Sequence, residues 1–480
     1  MTTAAEAPMA GAEWGGGSDV MNAFEALMWR VEDASPVRST CVGIELLDGT
    51  PAWADVVEVH HRLTRLIPRL RHRVVTPPMG LAPPRWAEDP NFDLHYHLRR
   101  TSVREGGGFT ELLESAEKAA MRGFDRARPP WEAVLYEGLP EGKSAYVLKL
   151  HHSISDGLGI MKLLSYLHPP AGRDTPLGPE VTPRPDKVMT PLDALRAHAV
   201  DGVRSTPDVL RKAGGTALRA LSNPPDSVRS SLRYTSSLKR VLSPPAAAPS
   251  PLLAGRSTNW RFAAIDVDFP ALRAAAKAVD ASINDAYLAA LLGGYRLYHE
   301  AMGAPPQPVP IAIPMSLRKP DEAHGGNEIA SARLAGPMEI VDPAKRMLAI
   351  GDQVRKARAE PAMNNLNVIA PAIARLPAGV IAHLAGGMTK ANDLQASNVP
   401  GPRVDVFLAG VRVERLYGYA PLPGCPAMIT LATHGPVGCV GVNYDSAAFT
   451  NPPEFLRCLV AGFDEVLAVG GDDAPPALAR

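Results

Sequence analysis

The 480-residue chain lacks an excess of charge of either sign, because 50 Lys and Arg balance 50 Asp and Glu. A nucleic-acid-binding protein needs a basic face toward the phosphates, so this balance argues against nucleic acid as the main partner. The four cysteines, Cys41, Cys425, Cys439 and Cys458, form neither a C-x-x-C motif nor a disulfide framework. Their scarcity favours a reducing compartment, and we predict a cytoplasmic protein.

Long apolar runs are also missing. The first twenty residues hold neither the basic nor the apolar region of a secretory signal. The most apolar stretch, 368–388, is interrupted by Arg375, His383 and two prolines. Helices of a protein interior are therefore favoured over a membrane span, and we expect a protein that does not cross a bilayer.

Proline, in contrast, is abundant: the chain has 48 prolines in 480 residues. Proline-rich stretches at 168–191 and 242–253 flank a segment, 196–240, with nine basic and three acidic residues and so a charge of +6. This composition predicts a flexible leader at 1–17 and an N-terminal domain at 18–185. A basic Pro-rich bridge at 186–253 and a C-terminal domain at 254–480 follow.

The hydrophobic pattern predicts the main elements. Ser18 is the expected N-cap of a first helix, and helical spacing recurs over 56–71, where His60 and His61 are expected on the surface. Two strands joined by a turn are predicted within 122–150, followed by a helix through Ile160 and Leu167. The second half predicts a strand at 260–269, helices at 271–279 and 284–298, and a strand at 309–315.

The clearest chemical signal is the run His151-His152-Ser153-Ile154-Ser155-Asp156-Gly157, directly after a predicted strand. An imidazole can take a proton from a hydroxyl group near neutral pH and later return it. Strand alternation places His152 on the face of Leu148 and Leu150, and His151 on the opposite face with Lys149. Only one ring should then point into a cleft. The alternative is a histidine pair that caps a strand before a plain turn, and we favour the functional interpretation.

Other catalytic schemes lack their signatures. The sequence has no G-x-S-x-G nucleophile elbow and no H-E-x-x-H zinc motif. Gly157 and Gly159 lack the third glycine of a dinucleotide loop, and the segment ending in Gly142-Lys143-Ser144 departs from the Walker A spacing.

The motif resembles the HHxxxDG motif of the bacterial wax ester synthase/diacylglycerol acyltransferase family, a branch of the CoA-dependent acyltransferases. Four further segments resemble family passages in the same order: 124–132 (FDRARPPWE), 283–286 (INDA), 313–318 with Gly326-Asn327 (IPMSLR…GN), and 397–402 (SNVPGP). The D-F-G-W motif of condensation domains and plant acyltransferases is absent. The chain departs from the family pattern at Ser153, at the opening helix and in its proline content.

The resemblance implies an α/β fold of two chloramphenicol-acetyltransferase-like domains with a tunnel between them. It implies direct acyl transfer from acyl-CoA to an alcohol, with His152 as general base and with no cofactor or metal beyond the co-substrate. Asp156 is expected to hold the His152 loop, and His151 to be structural. Asn284 and Arg318 are the implied substrate-binding residues, although Asn284 with Asp285 is equally an ordinary helix cap. The remaining motif residues are expected to have structural roles, and they are Gly157, Asp285, Asn398, Pro400 and Gly401.

The sequence does not decide which alcohol the enzyme would acylate. The first interpretation is a long-chain acyl-CoA:diacylglycerol acyltransferase, and its rivals are a wax ester synthase using a fatty alcohol and an enzyme that acylates another alcohol. An alternative from a different functional class is a CoA- or lipid-binding module without catalytic activity. The presence of both His152 and Asp156 argues against it. The segment 196–240, with its charge of +6, favours peripheral contact with an anionic membrane or lipid droplet, against the alternative of a solvated linker helix.

Overall fold

A computed structural model describes residues 18–104, 106–168, 188–201, 247–316, 329–359, 391–471 and 474–480. The helices are α1 (Ala23–Val31), α2 (Trp53–Leu66), α3 (Leu94–His97), α4 (Phe109–Ala120), α5 (Gly157–Leu167), α6 (Phe269–Ala278), α7 (Ile283–Ala301), α8 (Pro343–Arg358) and α9 (Pro452–Leu467). A further helix covers 191–201. No helix of the described residues is long and apolar enough to span a bilayer.

The strands fall into two large sheets and one hairpin. They are β1 (Thr40–Leu47), β2 (His72–Val75), β3 (Arg85–Glu88), β4 (Leu98–Ser102), β5 (Trp131–Glu137), β6 (Ser144–His151), β7 (Trp260–Asp268), β8 (Val309–Ser316), β9 (Ile329–Gly336), β10 (Leu394–Val399), β11 (Phe407–Leu408), β12 (Val411–Tyr419), β13 (Ala427–His434), β14 (Val437–Asp445) and β15 (Leu478–Ala479). Strands β2 and β3 pair only with each other among the named strands.

The first sheet has the order β11-β12-β1-β6-β5-β4. Its neighbours are antiparallel except for the parallel pair β4 and β5. Strands β11 and β12 come from residues 407–419, within the segment predicted as the C-terminal domain. The second half of the chain therefore supplies the strand that covers the edge of β1.

The second sheet has the order β15-β7-β14-β13-β10-β8-β9. Strand β10 lies parallel to both β13 and β8, and the other pairs are antiparallel. Helices α7 and α9 pack closely against each other because small residues meet at their contact. A side chain on Gly462 would place its Cβ 2.3 Å from the backbone nitrogen of Gly294.

The two sheets share one hydrophobic core. Val42 and Ile44 of β1 pack in the same buried cluster as Phe262 of β7 and Met428 of β13. At its border, the Tyr417 hydroxyl of β12 donates a hydrogen bond of 2.5 Å to the Asp266 carboxylate of β7. The shared core fixes the second half of the chain against the first, and the functional site lies where they meet.

Two details of the predicted elements are wrong. The N-cap of α1 is Asn22, whose side chain and that of Glu25 form a capping box, so Ser18 does not cap this helix. Helix α2 ends at Leu66 and a 3₁₀ turn covers Pro68–Arg71, because proline lacks the N–H that would continue the helix. The strands and helices predicted for 122–167 and 260–315 are confirmed as elements, with shifts of a few residues at their ends.

The predicted surface position of His60 is also wrong, because the side chain is fully buried. Its Nε2 is 2.8 Å from the Tyr146 hydroxyl, and its Nδ1 is 2.7 Å from the Val56 carbonyl. Burial lowers the pKa of this imidazole to about 4, so it is neutral at physiological pH. His61, the next residue, is exposed as predicted.

Candidate active site

His152 stands one residue beyond the end of β6. Its backbone N–H donates to the Ser39 carbonyl at 2.8 Å, which continues the pairing of β6 with β1 into the turn. Leu148, Leu150 and His152 all line the same cavity. The prediction that His152 lies on the same face of the strand as Leu148 and Leu150 is therefore confirmed.

His151 lies on the other face of the sheet and is fully buried. Its Nδ1 is 2.6 Å from the Ser153 hydroxyl, and its Nε2 is 3.3 Å from a carboxylate oxygen of Glu32. The ring also makes an edge contact with Trp29, at 5.2 Å between centroids. His151 is absent from the residues that line the cavity, so the two histidines have different surroundings.

Asp156 connects the motif to helix α5. It is the N-cap of this helix, and its carboxylate accepts a hydrogen bond of 2.9 Å from the Gly159 N–H. A Cβ at Gly159 would lie 1.7 Å from the Ser155 hydroxyl, so any larger residue here would force the Ser155 side chain to move. Asp156 is buried and borders the cavity, so the same side chain fixes the turn and lies near His152.

The cavity has a volume of about 240 Å³ and lies between the two halves of the chain. From the first half it is lined by β1, β6 and α5, and from the second half by β10, β12 and β13. Its walls are mainly apolar side chains, namely Leu148, Leu150, Leu158, Ile160, Met161, Leu164, Val399, Leu416 and Met428. Such a lining binds hydrocarbon and leaves the few polar groups to orient the reacting atoms.

The SNVPGP segment reaches the cavity from the second half. Asn398 lies in the lining, and Val399 lies 3.2 Å from the place that a Cβ on Gly157 would occupy. Gly401 follows the exposed Pro400, and its N–H donates to the Thr433 hydroxyl at 2.8 Å. A Cβ on Gly401 would lie 1.9 Å from the Thr433 carbonyl oxygen, so only glycine fits.

The other predicted residues lie apart from this cavity or outside the described part of the chain. Asn284 is half-buried in the first turn of α7 and is not among the residues that line the cavity. Asp285 forms a capping box with Ser282, and its carboxylate accepts hydrogen bonds from the Ser282 N–H and hydroxyl. Arg318, the leader at 1–17 and most of the bridge lie outside the described residues.

Three polar residues of the cavity were missed by sequence reasoning. Burial raises the pKa of the Cys41 thiol, so it stays protonated. Glu45 lies 2.8 Å from the His168 Nε2. The Thr430 hydroxyl is buried and has no hydrogen-bond partner among the described residues. No local motif marks these positions, because only the register of β1 and β13 brings them to the cavity.

Groups of His, Cys, Asp and Glu suited to a metal ion are absent from the described residues.

Two family models match the chain. The wax ester synthase/diacylglycerol acyltransferase catalytic domain matches residues 21–287, and the C-terminal domain of the same family matches residues 325–466. A protein of Mycobacterium tuberculosis strain ATCC 25618 / H37Rv, named as a candidate diacylglycerol O-acyltransferase, is 40% identical over 468 residues, which cover 96% of this chain and 94% of that protein. A second protein of the same strain with the same enzyme name is 28% identical over 95% of this chain and 98% of its own.

Solved structures show the same fold. The wax ester synthase/diacylglycerol acyltransferase from Marinobacter aquaeolei VT8 aligns with a TM-score of 0.61 at 21% identity, covering 94% of this chain and all of the other. The first condensation domain of the calcium-dependent antibiotic synthetase aligns with a TM-score of 0.58 at 16% identity, covering 96% of this chain and 99% of the other. These likenesses confirm the predicted α/β fold class.

Proposed function

The chain belongs to the wax ester synthase/diacylglycerol acyltransferase family, and we propose that it moves a long-chain acyl group from acyl-CoA to diacylglycerol, forming triacylglycerol and free CoA. The observation that supports this most directly is the position of His152 in an apolar cavity lined by both halves of the chain. Such a cavity can bring the reactive ends of two substrates to one imidazole, which replaces a bimolecular encounter by a positioned reaction.

In the proposed reaction, His152 accepts the proton of the acceptor hydroxyl as its oxygen attacks the thioester carbonyl carbon. The new carbon–oxygen bond gives a tetrahedral oxyanion. When this intermediate collapses, the carbon–sulfur bond breaks and the imidazolium returns its proton to the CoA thiolate. The acyl group therefore passes directly to the alcohol, and no covalent enzyme intermediate, metal or further cofactor takes part.

The remaining polar groups have supporting roles in this proposal. The oxyanion needs hydrogen-bond donors, and Thr430 and Asn398 line the same cavity as His152. Asp156 holds the turn through its cap on α5 and does not exchange protons. Asn284 and Arg318 stay predictions from the family resemblance.

The experiment offers purified protein and palmitoyl-CoA to diacylglycerol and hexadecanol in parallel, and follows the release of free thiol. We expect thiol release with diacylglycerol, and a loss of about a hundredfold or more in His152→Ala, the usual range for a general base. Faster release with hexadecanol would assign a wax ester synthase. No release with either alcohol would overturn the proposal, and full activity of His152→Ala would remove this residue from the mechanism.

We also propose that the protein contacts anionic lipid surfaces, where its acceptor resides. In the described part of the bridge, Leu192 and Val200 are 57% and 47% exposed. The helix that carries them is tied to the β2–β3 hairpin, since Asp201 pairs with Arg85 at 2.7 Å. The loop of that hairpin exposes Met79 by 90%. Apolar side chains beside a segment of charge +6 suit an anionic membrane. Flotation with anionic vesicles tests this contact, and protein that does not float at low salt would contradict it.

A further inference from the structure

The cavity face of strand β1 carries Cys41, Gly43 and Glu45 at alternate positions, and all three line the cavity. In the antiparallel register, Gly43 lies opposite Gly418 of β12 on one side and opposite Leu148 of β6 on the other. Gly418 also lines the cavity. Two adjacent strands thus lack a side chain at the same level, and this leaves a bare strip across the cavity floor.

The backbone does not explain these glycines. Both lie in extended strands, and a Cβ added to Gly43 would meet no heavy atom outside its neighbours within 4 Å. A Cβ on Gly418 would meet the Thr430 methyl group at 3.5 Å, which is ordinary contact. Glycine inside a strand costs roughly 0.5–1 kcal/mol relative to alanine, and it often marks a place where a ligand approaches the backbone closely.

The glycine pair lies on the path that leads away from His152. His152 is level with Ser39, and Glu45 is six residues further along β1, a distance of about 20 Å in a strand. Both residues line the same cavity, with Gly43 between them. The path ends at Glu45, whose carboxylate oxygen lies 2.8 Å from the His168 Nε2, and both side chains are buried.

We propose that the Gly43–Gly418 pair is the floor of a channel for one extended hydrocarbon chain, and that it determines which chain lengths the enzyme accepts. This inference rests on the proposed function, because the reactive end of the chain must lie at His152. Leu148 and Leu416 flank the glycines, and they supply the apolar walls of the channel. The hydrocarbon chain passes over backbone at the level of the glycines and stops before the buried polar side chains of Glu45 and His168, because hydrocarbon gains nothing from contact with buried polar groups.

The test is Gly43→Val, whose Cβ would meet no heavy atom within 4 Å and whose two methyl groups would narrow the channel. The first arm varies the acyl-CoA from hexanoyl to hexadecanoyl with one acceptor, and the second varies the alcohol from hexanol to hexadecanol with hexanoyl-CoA. We expect kcat/KM to fall by about tenfold or more for long chains in one arm, and to change by less than about twofold for short chains. The arm that responds tells whether the acyl group or the acceptor occupies the channel.

The matched control is Gly123→Val, the same change at an exposed glycine that is absent from the cavity lining. The melting temperature of Gly43→Val should not fall, since valine suits a strand, and Gly43→Ala serves if that variant does not fold. An unchanged length preference in both arms would overturn the channel. If wild-type protein transfers no acyl group from any acyl-CoA, the proposed function fails instead, so the two failures are distinguishable.

Discussion

At the scale of single residues, adjacent histidines of one motif have opposite environments. His151 is held between the Ser153 hydroxyl and the Glu32 carboxylate in a fully buried site. His152 lines the cavity between the two halves. The difference arises from a single step along a strand, since successive side chains point to opposite faces. One residue of the pair therefore stabilises the fold, and the other is placed for chemistry.

This difference predicts opposite effects of the same substitution. His151→Ala should lower the free energy of unfolding by about 2–4 kcal/mol, because it removes a fully buried ring packed against Trp29 and leaves the Ser153 hydroxyl without its partner. His152→Ala should stay close to wild type in stability while it loses acyl transfer. Urea unfolding of the two variants beside wild type measures both values. Equal destabilisation by the two substitutions would contradict the assignment of roles.

Strand alternation predicted that the two histidines lie on opposite faces, and the family resemblance selected His152, whereas the prediction for His60 failed. The basic residues around it suggested a surface position on α2. However, His60 falls four residues after Val56 and three before Leu63, both of which are buried. This spacing places it on the apolar stripe of the helix, and the helical period was a better guide than the charge of its neighbours.

At the scale of elements, β10 is anchored by a buried carboxylate just before its first residue. Asp393 accepts a hydrogen bond of 2.6 Å from the Ser250 N–H, and its own carbonyl accepts one from the Tyr295 hydroxyl at 3.2 Å. Burial raises the pKa of the Asp393 carboxyl to about 6. The folded protein thus favours the neutral form of a group that is ionised in the unfolded chain at neutral pH.

Linkage gives the sign of the resulting pH dependence. Between the ordinary pKa of 3.8 and the folded value of about 6, the folded state binds more protons than the unfolded state. The Asp393 contribution to the free energy of unfolding therefore falls as the pH rises through this window. We expect Asp393→Asn to be more stable than wild type by about 1–3 kcal/mol at neutral pH, and the gain to vanish near pH 4.

Thermal unfolding of Asp393→Asn and wild type across this range measures the effect. The control is Asp405→Asn, because Asp405 is exposed. A gain for Asp393→Asn that is independent of pH would show that the carboxyl does not titrate as inferred.

Helices and strands were predictable where the sequence pattern that specifies them is local. Strands β5 and β6 and helix α5 follow from periodicity and from the Asp-Gly turn between strand and helix. The position of β12 does not, because its pairing with β1 joins Val42 to Tyr419 across most of the chain. No local pattern encodes such a pairing. The residues that depend on it, Gly43 opposite Gly418 above all, became visible only in the structure.

At the scale of the whole molecule, the cavity exists only because both halves contribute walls. The family resemblance implied a tunnel between two domains, and Ser397 and Asn398 do reach the cavity from the second half. The polar residues Cys41, Glu45 and Thr430 have no place in the family motifs, and they come to the site through sheet register. Family resemblance thus located the reaction centre, whereas the shape of the cavity required coordinates.

The charge of the whole chain is zero, so attraction to an anionic surface must come from a local region. We expect binding of vesicles with anionic phospholipid at low salt, and weaker binding at high salt, where surface charges are screened. The double variant Met79→Ser and Leu81→Ser should bind several-fold less, because these side chains are 90% and 60% exposed in the loop between β2 and β3. Val341→Ser, at a residue 64% exposed in the second half, is the matched control and should bind like wild type. Vesicle flotation measures all three, and equal losses in both variants would show that the β2–β3 loop is not the surface that meets the lipid.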